Sequence, residues 1–306
     1  KTSIDEMLQF AVQHNFNHIF IQVRGRGDSL YRSYWIPQSE VLKGDEFDPL
    51  EYVIKEGHKL QLNIHAWVNV YMLWSAEQLP LSEQHLFNRH PDWLDAVEED
   101  SKNYLLTDKR LHTDASGKEG FYLAPHHPSV NPYLLAVFKE LLNNYNLDGL
   151  HLDYVRYKNE FHGYNSVGIE QFRSQYNSKN NFDLGFRQTI ITKDSYNDYL
   201  MKREEFLLNS ITELVLKLSS FMKNSHREMI LSAAVKPNIE MAKKLYFQEW
   251  DMWLSGGLVD WVLVMNYGPN FQTFVDNITS IENQISKSEF SKIIMGVALY
   301  NQTPEN

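Results

Sequence analysis

Short apolar runs rich in β-branched and aromatic residues recur along the chain, and a helical pattern follows most of them after a loop. These runs predict six strands: His18–Val23, Leu62–Trp67, Gly149–Tyr154, Ile230–Val235, Trp261–Asn266 and Ile293–Leu299. Most are apolar nearly throughout, which is typical of strands covered by helices on one face and packed into a barrel on the other. The alternation of strands and helices predicts a parallel α/β fold.

The helices between these runs are marked by start signals and by the spacing of apolar residues. Asp48 followed by Pro49 predicts an N-cap and a first-turn proline, and therefore a helix that runs to about Leu60. Asn131 and Pro132 repeat this signal before a second helix. Further helices are predicted over residues 1–15, 196–222 and 271–285.

Two long loops follow predicted strands, over residues 68–130 and 155–194. Loops longer than about 15 residues in a compact domain are usually functional or locally ordered. Both follow the carboxyl ends of strands, where barrel enzymes build their sites. We therefore predict an α/β fold of the TIM (β/α)8 type in a single domain over residues 1–306. The first and last strands of such a barrel are not evident in this chain.

Composition narrows the classes of function. The 306 residues carry a formal net charge of −10, which argues against a nucleic-acid partner, since such proteins present a basic face. The absence of cysteine excludes disulfides, cysteine-ligated zinc and a cysteine nucleophile. The sequence contains no run of about 18 apolar residues, so it predicts no membrane-spanning helix. The histidines lack the spacing of a metal motif and no dinucleotide fingerprint is present, so we expect neither metal nor cofactor.

The most informative segment is DGLHLDYVRY at residues 148–157. Side chains alternate along a strand, so Leu150 and Leu152 are expected to face the helices while His151 and Asp153 point into the barrel. Asp153 would lie near the carboxyl end of the strand. A carboxylate inside a barrel is costly unless it is paired or used. Asp153 is therefore a candidate catalytic or substrate-binding group, and the alternative is an ion pair with Arg156 that only ties the loop.

Two earlier segments carry candidates for binding. In QVRGRGDSLY, Arg24 and Asp28 lie among glycines and form either a wall of the site or a surface turn with an internal ion pair. In HAWVNVY, His65, Trp67 and Asn69 share one face of a strand. An aromatic ring beside hydrogen-bonding groups suits a sugar, although a single buried histidine is more often a core residue.

The later strands also end in polar or aromatic residues. These residues are Lys236, Asn266, Tyr267 and Tyr300. Each is a weak signal alone. Together they have the distribution expected of an open ligand cleft at the mouth of a barrel.

Several of these segments resemble motifs of the glycosyl-hydrolase-like family ten, a bacterial group of TIM-barrel proteins. The segments are QVRGRGDSLYRS at 22–33, DPLEYVIKEGHKLQLNIHAWVNVY at 48–71, HPDWL at 90–94, DGLHLDYVRY at 148–157 and WLSGGLVDWVLVMNY at 253–267. The resemblance runs from about His18 to Tyr300. It implies a (β/α)8 barrel that acts on glycosidic bonds of a polysaccharide, including cell-wall glycan strands. It also implies export to the periplasm or cell surface.

The sequence therefore predicts a glycosidase in which Asp153 is one of two carboxylates. The second is open among Asp28, Glu160, Glu249 and Asp251. The residues expected to bind the oligosaccharide or polysaccharide are Arg24, Asp28, His65, Trp67, Asn69, His151, Arg156, Lys236, Asn266, Tyr267 and Tyr300, with Trp35 and Trp74 as further stacking platforms. Two alternatives stay open: a carbohydrate-binding barrel without catalysis, and an enzyme that removes sugar substituents, such as a deacetylase.

Overall fold

The computed structural model describes residues 1–42, 44, 46–98, 119–180, 193–225, 228–268 and 270–297. The strands in these residues are β1 (His18–Arg24), β2 (Asn63–Asn69), β3 (Met72–Trp74), β4 (Phe121–Tyr122), β5 (Gly149–Asp153), β6 (Ile230–Val235), β7 (Trp261–Val264) and β8 (Ile293–Met295). Six of them form one parallel sheet in the order β1-β2-β5-β6-β7-β8. These are the six strands that the sequence predicts.

The sheet is strongly curled. Three strands separate β1 from β7 in the hydrogen-bonded order, yet the rings of His18 on β1 and Trp261 on β7 lie 5.1 Å apart. Only a sheet bent towards closure brings these side chains into contact across its concave face. The parallel strands, the curl and the surrounding helices make this an α/β fold of the TIM-barrel type. Over the described residues, β1 and β8 are the terminal strands of the sheet.

The helices are α1 (Thr2–Gln13), α2 (Pro49–Lys59), α3 (Leu86–Arg89), α4 (Val130–Asn144), α5 (Ser166–Asn180), α6 (Lys193–Ser225), α7 (Ile239–Tyr246), α8 (Trp250–Ser255), α9 (Phe271–Glu282) and α10 (Lys287–Phe290). Their buried apolar residues share one core with the outward-facing Leu150 and Leu152 of β5, as the strand alternation predicts. Within the described ranges, no helix combines the length and apolarity needed to cross a membrane.

The two predicted helix starts have different outcomes. Asp48 accepts hydrogen bonds from the backbone N–H groups of Leu50 and Glu51, so it is the N-cap of α2, as predicted. Asn131 is not a cap, because α4 begins one residue earlier, at Val130. Its side chain instead accepts a hydrogen bond from the Tyr71 hydroxyl and donates to the carbonyl of Ser210. The asparagine therefore ties α4 to α6, a long-range role that its sequence neighbours do not reveal.

Both predicted loops contain regular structure. Residues 68–130 include the antiparallel pair β3–β4, α3 and a 3-10 turn over Pro91–Trp93. Residues 155–194 include α5. The local order agrees with the expectation for long insertions. The assignment of residues 1–306 to one domain stays a prediction.

Aromatic and histidine side chains fill the barrel interior below the carboxyl ends of the strands. His18 Nδ1 and His65 Nε2 are 2.8 Å apart in a hydrogen bond, and Phe20 stacks on His65 with ring centroids 4.6 Å apart. The neighbouring strand makes room for His65 with Gly149, since a Cβ there would lie 2.1 Å from His65 Nδ1. The glycine is therefore required by packing.

We expect Gly149→Ala to lower the free energy of unfolding by about 1–3 kcal/mol, the range for overpacking a filled core. Guanidinium denaturation at neutral pH measures this change. The same substitution is also made in the His65→Ala variant, where the added methyl group no longer contacts the imidazole ring and should cost less stability. An equal cost of Gly149→Ala in both backgrounds would show that contact with His65 is not the cause.

Candidate functional site

A cleft of about 830 Å³ opens at the carboxyl ends of β1, β2, β5 and β6. This is the end of the barrel where enzymes of this architecture place their sites. Its lining residues are Gln22, Gly25, Arg26, Asp28, Leu30, Ser39, Val41, Trp67, Asn69, Met72, Ser75, Glu119, Asp153, Tyr154, Arg156, Lys236, Met265 and Tyr267. Six of the sequence-predicted binding residues are among them: Asp28, Trp67, Asn69, Arg156, Lys236 and Tyr267, beside the predicted catalytic Asp153.

Asp153 is the last residue of β5 and is held by backbone groups on both sides. Its carbonyl accepts a hydrogen bond from Val70 N–H at 2.7 Å, and its Oδ1 accepts one from Tyr154 N–H at 2.7 Å. Tyr154 has φ +51°, in the left-handed region that a tyrosine rarely adopts. This turn directs the Tyr154 N–H back to the carboxyl group, and such strain is typical of functional positions.

Burial raises the pKa of Asp153 above its ordinary value. The Tyr154 N–H, the Arg156 guanidinium, Trp67 and Lys236 each lower it and oppose the effect of burial only in part. The carboxyl group therefore holds its proton at a higher pH than a solvated aspartate would. A raised pKa in an open cleft is a property that suits a carboxyl group to the role of general acid.

Trp67 and Asn69 lie beside Asp153 on the adjacent strand. The register of β2 and β5 places Asn69 opposite Asp153 and Trp67 opposite His151. Asn69 Oδ1 accepts hydrogen bonds from Trp67 Nε1 at 3.2 Å and from Gln22 Nε2 at 3.3 Å. The Asn69 Nδ2 group donates to the Gly25 carbonyl at 2.8 Å, so the amide is fixed by protein groups and its oxygen orients the indole ring of Trp67.

Arg156 does not form the predicted ion pair with Asp153. Its Nη2 lies 3.2 Å and 3.3 Å from the two carboxylate oxygens of Glu119, and its Nη1 donates to the carbonyls of Tyr157 and Lys158. The guanidinium is buried against the rings of three tyrosines at 5.0–5.8 Å: Tyr122, Tyr154 and Tyr246. The alternative in which an Asp153–Arg156 pair only ties the loop is therefore wrong.

Glu119 is the residue of the cleft that sequence reasoning missed. It precedes Gly120 and the two-residue strand β4, at the end of a polar stretch with no periodic pattern. The glycine before a short aromatic strand is the one local signal, and it indicates a turn and not a functional group. Glu119 enters the cleft because β4 pairs with β3, a contact between residues far apart in the sequence.

Four predicted binding residues do not line the cleft and instead contact other parts of the protein. Arg24 is fully buried, and its Nη1 donates to the backbone carbonyls of Asn69 and Val70. His65 and His151 lie in the barrel interior, where burial lowers the pKa of His65 to about 4 and that of His151 to about 3. Asn266 is buried and binds the Phe274 carbonyl and Asn277 on α9. None of the four lines the cleft, because inward-facing residues at different heights of a barrel share one strand face, and their binding roles stay predictions.

The remaining candidates are outside the cleft lining. Trp35 packs against Tyr133, and the Trp74 indole N–H donates to the Gln78 carbonyl. Glu249 pairs with Lys243 at 2.8 Å. Glu160 and Asp251 do not line the cleft, and Tyr300 lies outside the described residues. Among the residues that the structure describes, no group of three or more His, Asp or Glu side chains is arranged to hold a metal ion.

The raised pKa of Asp153 predicts a pH-dependent effect on stability. An ionised Asp153 is disfavoured in the folded protein, so its contribution destabilises the fold as the pH rises from the unfolded value near 3.8 through the folded value. Asp153→Asn removes this ionisation while keeping an oxygen that accepts the Tyr154 N–H. We expect the variant to melt at a higher temperature than wild type at pH 7, with the difference shrinking towards pH 3. A difference that does not vary between pH 3 and 8 would contradict the prediction.

Comparison with known proteins identifies a matching family and two similar proteins. The family model "Glycosyl hydrolase-like 10" matches residues 1–304. The chain is similar to glycosyl hydrolase YngK of Bacillus subtilis (27% identity over 155 residues, 48% of this chain and 26% of that protein). It is also similar to glycosyl hydrolase DigH of Escherichia coli K12 (26% over 153 residues, 45% and 30%). The chain spans well under half the length of these curated relatives.

Solved structures show the same fold at low sequence identity. The glycoside hydrolase domain of PgaB (BpsB) from Bordetella bronchiseptica superposes with a TM-score of 0.66 at 11% identity, covering 97% of this chain and 78% of that one. Alpha-L-fucosidase isoenzyme 2 from Paenibacillus thiaminolyticus gives a TM-score of 0.54 at 13% identity, covering 98% and 43%. The fold, the cleft at the carboxyl ends of the strands and the match over residues 1–304 lead to one conclusion: the chain belongs to the glycosyl hydrolase-like 10 family.

Proposed function

We propose that this protein is a glycoside hydrolase that cleaves glycosidic bonds within a polysaccharide, with Asp153 as the general acid. Membership of a glycosyl hydrolase-like family and a fold shared with glycoside hydrolase domains support this class of activity. The observation that carries the role of Asp153 is its position: a carboxyl group with a raised pKa at the end of a barrel strand, inside an open cleft.

Hydrolysis requires a proton donor for the oxygen that leaves the sugar. Asp153 is placed to supply it, because burial raises the pKa of its carboxyl group and the Tyr154 N–H donates a hydrogen bond to Oδ1 that fixes the group at the cleft. Lys236 and Arg156 lower the pKa of Asp153, so they stabilise the carboxylate that forms once the proton has left. The same two cations thus favour return of the group to its charged state during the reaction.

The rest of the cleft has the mixed lining that sugars need. The Trp67 ring offers an apolar face for a pyranose, and Tyr267, which is 45% exposed, adds a second aromatic side chain. Arg26, Asp28 and Lys236 offer charged hydrogen-bonding groups to hydroxyls. A cleft that is open to solvent suits a chain of sugars that continues beyond the cleaved bond.

We propose cell-wall glycan strands as the substrate class, and therefore a location in the periplasm or at the cell surface. The resemblance of the sequence motifs to a family implicated in cell-wall metabolism supports this choice. Three features of the cleft are compatible with an amino-sugar polymer: its aromatic wall, its hydrogen-bonding groups and its cations. The alternatives are other polysaccharides, and the reducing-end assay described next compares them with cell-wall glycans.

A reducing-end assay tests the activity. Wild type and Asp153→Asn are incubated with peptidoglycan, with glycan strands freed of peptides and with a panel of plant and algal polysaccharides. We expect new reducing ends from wild type on one class of glycan, and a loss of about 100-fold or more in Asp153→Asn, the usual contribution of a general acid. Turnover that survives in Asp153→Asn would overturn the assigned role.

The assay also separates hydrolysis from binding without catalysis. A carbohydrate-binding barrel would bind a glycan, yield no new reducing ends and lose affinity in Trp67→Ala, which removes the stacking face. Released acetate without new reducing ends would instead identify an enzyme acting on sugar substituents. In a glycosidase, Trp67→Ala should weaken binding and turnover together. Trp35→Ala is the matched control and should change neither, because this half-exposed ring lies outside the cleft lining.

A further inference from the structure

Glu119 is held at the rim of the cleft by its backbone neighbours. It precedes Gly120, which has φ +75° and whose added Cβ would lie 2.0 Å from the Trp74 carbonyl oxygen. This close approach joins the start of β4 to the end of β3, where Phe121 pairs with Trp74. The backbone at Glu119 is therefore fixed by main-chain packing, and its side chain is presented to the cleft from a defined position.

The Glu119 carboxylate is also oriented by two hydrogen-bonding groups. Arg156 Nη2 lies 3.2 Å and 3.3 Å from its two oxygens, and the Tyr122 hydroxyl donates to Oε2 at 3.0 Å. Arg156 is itself buried, so it cannot follow a moving partner. Glu119 remains 41% exposed, which leaves its carboxylate in contact with solvent water. Such a group is both fixed and hydrated.

Glu119 and Asp153 face a common region of the cleft. Arg156 pairs with Glu119. Its guanidinium lies 5.1 Å from the ring centroid of Tyr154, whose backbone N–H donates to Asp153. Both carboxylates also raise the pKa of Lys236. Asp28, the other described carboxylate on the cleft lining, instead accepts a hydrogen bond from the Arg26 N–H on the loop after β1. The pair that shares one space is therefore Glu119 and Asp153.

We propose that Glu119 is the second catalytic carboxylate of the cleft, acting as the general base that activates water; this assignment rests on the proposed glycosidase function. Glu119 accepts a proton from a water molecule, whose oxygen forms a bond to the anomeric carbon. The bond from that carbon to the glycosidic oxygen breaks, and the Asp153 proton passes to the leaving oxygen. The sum is the addition of one water across one glycosidic bond.

The division of roles follows from the two environments. Burial raises the pKa of Asp153, whereas the Glu119 side chain is 41% exposed and lies 3.2 Å from the Arg156 guanidinium. Glycoside hydrolysis uses two carboxyl groups in different environments, one as the acid and the other as the base. The contacts with Arg156 and Tyr122 restrain the Glu119 carboxylate at the rim of the cleft, where its exposed side chain meets solvent water.

Chemical rescue tests this assignment on the glycan that wild type cleaves. We expect Glu119→Ala to lose about 100-fold or more in turnover, since the base that activates water is missing. Sodium azide, an anion that needs no base, should restore turnover and give a glycosyl azide detectable by mass spectrometry. Asp153→Asn should not be rescued, because azide donates no proton. Glu249→Ala, which removes an ion-paired carboxylate outside the cleft lining, should keep wild-type turnover without azide.

Folding and binding are controlled with Glu119→Gln, whose amide oxygen still accepts from Arg156 and Tyr122. This variant should bind the glycan as wild type does and lose turnover. Three outcomes would overturn the role of Glu119 and leave that of Asp153 intact. They are wild-type turnover in Glu119→Gln, absence of azide rescue in Glu119→Ala, and azide rescue of Asp28→Ala instead. No new reducing ends from wild type on any glycan would overturn both assignments.

Discussion

The register between β2 and β5 is the constraint on which the candidate site depends. It places Asn69 opposite Asp153, and the backbone continues the pairing past the strand ends, where Val70 N–H donates to the Asp153 carbonyl and Tyr71 N–H to that of Tyr154. A shift of one residue would turn Asp153 away from the barrel axis, because side chains alternate along a strand. The hydrogen bonds between these two strands therefore position Asp153, the Trp67 ring and the Asn69 amide that orients this ring.

Beneath the cleft, the barrel is filled by polar aromatic groups that remain uncharged. His18 and His65 share a hydrogen bond, and His151 Nδ1 is 3.0 Å from the Ser232 hydroxyl. Burial lowers the pKa of all three histidines, because a charged ring in this space would lose its water, and the nearby Asp148 offsets this effect only in part at His18 and His65. Arg24 supports the floor of the site from behind, through the carbonyls of Asn69 and Val70. The interior thus supports the strand ends from which the cleft residues project.

Arg156 connects the site to the long segment between β2 and β5 that contains β3 and β4. Its carboxylate partner is 37 positions away in the sequence, and three tyrosine rings surround its guanidinium. Burial alone would lower its pKa, but Glu119 and the tyrosines raise it, so the cation is retained in a shielded place. By fixing Glu119, this cation brings a second carboxylate to the cleft that contains Asp153.

The sequence by itself determined the six parallel strands, the cap of α2 and the placement of Asp153 at a strand end, because these depend on short-range periodicity and local backbone chemistry. It also predicted Trp67 and Lys236 in the cleft, since residues that follow parallel strands meet at one edge of a sheet. The tertiary structure decided the depth of His65 and Asn266 in the barrel, the contacts of Asn131 and the partner of Arg156. Glu119 enters the cleft only through the pairing of β3 with β4. These features depend on contacts between residues far apart along the chain, and local patterns carry no information about such contacts.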